Sequence, residues 1–142
     1  MIKYDLNNRI AIVTGGAQGF GLAITERFIG AGAKVIIWDI DEKAAKVAVN
    51  KLKSDNVSFQ IVDVTNFEII NKNLSEVEKN FGKVDIFVNN AGIAGMNTTV
   101  AEYPLDEWKK VMNLNLNSVF YCCKAIVPEK KRQALQLSGS EH

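Results

Sequence analysis

Residues 10–21, Ile10-Ala-Ile-Val-Thr-Gly15-Gly16-Ala-Gln-Gly19-Phe-Gly21, hold the densest chemistry in this 142-residue chain. Glycines at 15, 19 and 21 open backbone angles closed to other residues and let a ligand approach the main chain. A helix starting here turns its unpaired N–H groups and positive dipole end towards whatever sits over the turn, and a pyrophosphate suits that place. The same glycines also suit a plain strand-to-helix turn. Their Gly-x-x-x-Gly-x-Gly spacing departs from the Gly-x-Gly-x-x-Gly of the commonest dinucleotide loop. A second group bears on the choice. Asp39 stands eighteen positions after Gly21, at the end of a second apolar run, where a carboxylate accepts hydrogen bonds from both ribose hydroxyls of an adenosine. It repels a 2′-phosphate, and neither Gln18 nor Ile40 supplies a cation in compensation, so NAD is expected over NADP. The bland alternative is a solvated loop acid beside Asp41.

The elements that must position these groups follow from the apolar pattern. The β-branched run 10–13 suits a strand buried on both faces, and 22–31 continues from the turn as a helix ended by Gly30 and Gly32. A second strand is expected over 34–38, then a helix capped by Asp41 and running to about Lys53. A third strand over 57–62 leads through Asp63-Val64 to a helix capped by Thr65 or Asn66 and ended by Gly82. The fourth strand, 84–88, runs directly into Asn89-Asn90-Ala91-Gly92. Strand and helix thus alternate four times in fewer than ninety residues, which requires parallel strands, right-handed helical crossovers and helices on both sheet faces. From Pro104 to Pro128 apolar residues recur at three- and four-residue steps, as one long helix or two short ones.

Composition narrows the partners. Seventeen basic against sixteen acidic residues give no field to hold nucleic acid or an anionic membrane. No apolar run approaches the ~20 residues that span a bilayer, and the first residues have no signal core. Cys122 and Cys123 are adjacent, which is neither a disulfide framework nor a metal-ligand spacing, so no metal and a reducing cytoplasm are expected.

Taken together, Thr14-Gly15-Gly16-Ala17-Gln18-Gly19-Phe20-Gly21, Asp39, Asp63-Val64 and Asn89-Asn90-Ala91-Gly92 resemble the short-chain dehydrogenase/reductases. The resemblance covers residues 9 to about 128, with motifs in order at successive strand ends. It implies an α/β fold, a Rossmann-type doubly wound parallel sheet of strand order 3-2-1-4, ending after about four strands. It implies NAD as cofactor and hydride transfer between a secondary alcohol and a ketone. Gly15, Gln18, Gly19, Phe20 and Gly21 would lie at the pyrophosphate, Asp39 and Ile40 at the adenosine ribose, and Asp63 and Val64 at the adenine. Asn90, Ala91 and Gly92 would line the nicotinamide-side ribose, with Asn89 bracing the sheet, and Ile93 to Thr99 would border the substrate. Val111 to Phe120 resembles the helix carrying the family's catalytic asparagine, a role that falls on Asn115, where a side-chain or main-chain bend would hold a relay water. An incomplete domain of this kind is expected either to be marginally stable or to associate with further copies through the apolar face of the 105–128 helix.

The pattern also breaks. The family uses a tyrosine as general acid/base with a lysine four residues later, because an unperturbed phenol (pKa near ~10) is a poor base at neutral pH. Here the tyrosines are Tyr4, Tyr103 and Tyr121, and the fourth positions after them hold Asn8, Glu107 and Ala125. Tyr121 with Lys124 is a near miss, expected to be packing. Residues 133–137 with Ser138 and Ser140 read either as a fifth-strand stub bearing the family's serine or as a loose tail. The expected organisation is an incomplete NAD-binding domain over 1–128 and a divergent tail over 129–142. The chain is then a truncated oxidoreductase lacking the Tyr-x-x-x-Lys pair; the alternatives are a catalytically inactive NAD-binding module and an interaction protein.

Overall fold

The structure, a computed structural model, describes the backbone of residues 2–139 and the side chains of residues 2–128. Four strands, β1 (Ile10–Thr14), β2 (Lys34–Asp39), β3 (Val57–Ile61) and β4 (Ile86–Val88), form one sheet in the order β3-β2-β1-β4. Every pairing is parallel. The crossovers are α1 (Gly19–Gly30), α2 (Glu42–Leu52) and α3 (Phe67–Phe81). Beyond β4 come a 3₁₀ turn (Val100–Glu102), α4 (Leu105–Met112), a π-helical turn (Asn113–Asn117) and α5 (Ser118–Gly139).

The period-2 alternation of side chains divides the core into two layers. Ile12, Ile36 and Trp38 are fully buried on one face, against Ile70, Leu74 and Val77 of α3 and Cys122 and Ile126 of α5. On the other, Ala11, Val13 and Val35 meet Ile24, Phe28 and Ile29 of α1, while Ile37 meets Ala45 and Ala48 of α2. Strands buried on both sides read as continuous apolar runs, which is why they were legible. α2 and α3 start where a side chain caps them: Asp41 accepts from the Ala44 N–H at 3.0 Å, and Asn66 from the Ile69 N–H at 3.2 Å.

Three expectations need correction. β4 begins at Ile86 and not Val84, because the Asp85 carboxylate takes the Ile10 N–H (2.9 Å) where a strand carbonyl would have accepted it. Pro128 does not lie near a helix end; α5 runs past it to Gly139 although the ring has no N–H for the ladder. Residues 133–137 are therefore helical and form no fifth-strand stub. Residues 129–137 contain no β-branched residue and consist of good helix formers. Ser138 lies in α5, and Ser140 falls outside the described residues.

Tyr121 is half-buried against Phe67, ring centroids 6.4 Å apart, and the Lys124 ammonium sits 5.3 Å from the same Phe67 ring. Both members of the near miss are packing around one aromatic.

Candidate functional site

Parallel strands send their C-terminal ends to one edge of the sheet, so the loops after Thr14, Asp39, Ile61 and Val88 gather there. Of the three crossover helices, α1 alone begins without a side-chain cap and without an acidic residue in its first turn; α2 has Asp41 and Glu42, α3 has Asn66 and Glu68. The first N–H groups of a helix have no partners within it. Those of α1 are thus left to an outside acceptor, and the dipole favours an anion. Gly21 lets the helix start pack directly on the glycine loop, since an added Cβ would overlap the Gly15 carbonyl and come within 2.6 Å of Asn90 Nδ2; the space beside Gly19 (φ 53°) is open.

Asp39 closes the turn from the side. Its Oδ2 accepts from the Ala17 N–H (3.1 Å) and its Oδ1 from the Asp41 N–H (3.0 Å), which fixes the carboxylate at the end of β2 beside the glycine loop. Each oxygen keeps a lone pair for a ligand hydroxyl. The Gly15 N–H donates to the Trp38 carbonyl at 2.7 Å, joining the same two strand ends through the main chain.

A second network ties β1 to the loop after β4, centred on the buried Thr14 hydroxyl. It donates to the Val88 carbonyl (3.2 Å) and accepts from the Asn90 and Ala91 N–H groups (2.9 and 3.0 Å). The Asn90 amide then donates to the Thr14 and Gly15 carbonyls at 3.1 and 3.2 Å. The bracing expected of Asn89 is thus done by Asn90. Asn89 is exposed, its nearest partner the Cys123 sulfur at 3.8 Å.

Asn115 sits in the middle of the π turn. Its Oδ1 accepts from the Ile93 N–H and its Nδ2 donates to the Ile93 carbonyl, both at 2.8 Å. This two-pronged clamp holds the chain just after Gly92, whose own Cβ position lies 3.1 Å from Asn115 Oδ1. Both ends of the side chain are occupied by Ile93. The turn itself is held by the buried Ser118 hydroxyl donating to the Leu114 carbonyl.

Residues 9–135 match the family model described as short chain dehydrogenase. This chain belongs to the short-chain dehydrogenase family. It is 36% identical over 125 residues to the 3-oxoacyl-[acyl-carrier-protein] reductase FabG of Chlamydia muridarum, covering 86% of this chain and 50% of that one. It is also 36% identical over 120 residues to the 2-dehydro-3-deoxy-L-rhamnonate dehydrogenase (NAD(+)) of a Sphingomonas species, covering 84% and 47%. A further relative, 35% identical over 127 residues and covered to 46%, carries the name "Probable NADP-dependent mannitol dehydrogenase" in Yarrowia lipolytica. Among solved structures, the short-chain dehydrogenase/reductase of Brucella melitensis superposes with a TM-score of 0.84 at 29% identity, over 89% of this chain and 54% of that one. The chain therefore spans about half the length of the relatives it matches, which are oxidoreductases by name.

Within this short-chain dehydrogenase frame, the glycine loop, Asp39, Asn90 to Gly92 and Asn115 form one connected rim. Phe20 and Ile40 stand at its margin as exposed side chains, 85% and 68% accessible. In the loop after β3, Asp63 Oδ1 accepts from the Thr65 N–H (2.9 Å) and hydroxyl (2.6 Å) in a local turn, and the Val64 side chain is buried in the core. Thr14 is the residue that reasoning from sequence left out of the site. A lone hydroxyl ending an otherwise apolar buried strand was the signal that could have found it. Among the described residues no group of His, Cys, Asp and Glu could hold a metal ion, and no helix is long and apolar enough to cross a membrane.

Proposed function

We propose that this chain binds NAD(H) across the C-terminal edge of its sheet, as the nucleotide-holding part of a short-chain oxidoreductase acting on a small alcohol or ketone. The observation that carries this reading is the pairing of an uncapped α1 with a carboxylate fixed beside it. Gly15, Gln18, Gly19, Phe20 and Gly21 hold the diphosphate through main-chain N–H groups. Asp39 accepts the two ribose hydroxyls with Ile40 flanking it, and its charge discriminates against a 2′-phosphate; NAD is the cofactor on that ground. Asp63 and Val64 border the adenine, and Asn90, Ala91 and Gly92 the second ribose. When bound, the nicotinamide supplies the hydride chemistry.

Proton transfer is another matter. No tyrosine of the 142 residues has a lysine at its fourth following position. Asn115 contributes through the main chain of the π turn, where the helix departs from the i→i+4 pattern and a relay water would be held. These residues alone therefore bind the cofactor without turning over. Two free cysteines suit a reducing cytoplasm as the compartment.

The test is a titration of NADH followed by nicotinamide fluorescence, run beside a panel of ketones. Saturable binding with no ketone-dependent loss of NADH is expected. A flat titration up to millimolar NADH contradicts the reading.

A further inference from the structure

The loop between β4 and the 3₁₀ turn has no ladder to hold it. Three side chains tie it down instead. Asn115 clamps Ile93, and the Glu102 carboxylate accepts from the Thr98 and Thr99 hydroxyls at 3.3 and 3.1 Å. The Tyr103 phenol oxygen accepts the Met96 N–H at 3.1 Å. The Tyr103 contact is matched by shape as well. A Cβ added at Gly95 would overlap the phenol oxygen and meet Tyr103 Cζ at 3.3 Å and Val111 Cγ2 at 3.4 Å. The ring is held edge-on against Trp108, centroids 6.3 Å apart at 88°. Hydroxyl, glycine and loop therefore fit one another in a single arrangement.

We infer that Tyr103 is a positioning residue for the nicotinamide end of the site: its hydroxyl, seated over Gly95, fixes where the loop after Gly92 lies. This rests on the cofactor reading proposed above. Asp39 ends β2 and the tethered loop leaves β4, with β1 between them. Strands lie about 4.8 Å apart, so the two ends of the site are separated by roughly 10 Å. Disturbing Tyr103 then acts on the nicotinamide half of the cofactor and leaves the adenosine half alone.

The experiment compares the unaltered chain with Tyr103→Phe, Gly95→Ala and the double variant, measuring dissociation constants for NADH and for ADP, and hydrogen exchange at the Met96 amide. Tyr103→Phe should speed Met96 exchange and raise the NADH constant roughly fivefold, the scale of one lost hydrogen bond, with the ADP constant within about twofold. Gly95→Ala should cost more alone than in the Tyr103→Phe background, where the overlapping oxygen is gone. NADH and ADP constants that move together, or an NADH constant that ignores Tyr103→Phe in a chain binding both ligands, overturn the inference alone. An unaltered chain that binds neither ligand overturns the cofactor reading, and this inference with it.

Discussion

At the scale of single residues, the rim of the site is held by polar atoms set inside an apolar frame. Thr14 serves three main-chain groups from one buried hydroxyl. Thr14→Val keeps the volume and leaves the Asn90 and Ala91 N–H groups without an acceptor, so it should cost about 1–3 kcal/mol by urea denaturation. Thr14→Ser, which keeps the hydroxyl, should recover most of that loss; an unmoved midpoint for Thr14→Val removes the hub. Cys122 gives a second prediction. Burial, and then the neighbouring Cys123, push its thiol from 9.0 up to about 12. In the folded chain thiol reagents should therefore label Cys123 first, and Cys122 only after denaturation. The sign with pH follows from the same shift. The unfolded chain releases this proton from about pH 9 and the folded chain only near 12. The contribution of Cys122 is intact below that window and is lost as pH climbs through it. A melting temperature at pH 10.5 that rises on Cys122→Ser relative to the unaltered chain, after correction for the difference at pH 7, fits this sign; a fall contradicts it.

At the scale of elements, sequence and structure agree where the core is two-sided and part where the cause is local. The strands β1 and β2, the cap Asp41, the α3 cap to within Thr65 or Asn66 and the acid at the end of β2 were legible, because burial on both faces and capping leave patterns a few residues long. The π turn was not. Asn113 to Asn117 reads as ordinary helix by spacing, and the extra residue shows only when Asn115 reaches across to Ile93, twenty-two positions earlier. Asn90 against Asn89 was beyond sequence for the same reason, since adjacent like residues differ only in which carbonyls lie nearby. Pro128 misled by a rule that holds for helix boundaries on average and fails when one missing bond is tolerated. The helices after β4 also leave Leu105, Trp108, Leu116 and Phe120 more than half exposed, at 78, 56, 57 and 61%. We propose this stripe as the contact between two copies of the chain. Sedimentation should show concentration-dependent association that Leu116→Lys with Phe120→Lys abolishes; a monomer at about 100 µM contradicts it.

At the scale of the whole molecule, a parallel sheet gathers strand ends that are far apart in sequence, and the site follows from that topology. β1 supplies the glycine loop, β2 the carboxylate and β4 the asparagine loop, and hydrogen bonds lock the last two to the end of β1. The central claim is that the carboxylate at position 39 chooses the cofactor. It is tested most directly by the ratio of NADPH to NADH dissociation constants in the unaltered chain and in Asp39→Ala. Because Asp39 also steadies Ala17, loss of that support weakens the binding of both ligands alike, whereas the ratio reports what the carboxylate does at the 2′ position of the ribose. The account predicts at least about a tenfold preference for NADH, which is roughly 1.4 kcal/mol or more, falling to within about threefold in Asp39→Ala. A ratio left unchanged by removing that carboxylate contradicts it.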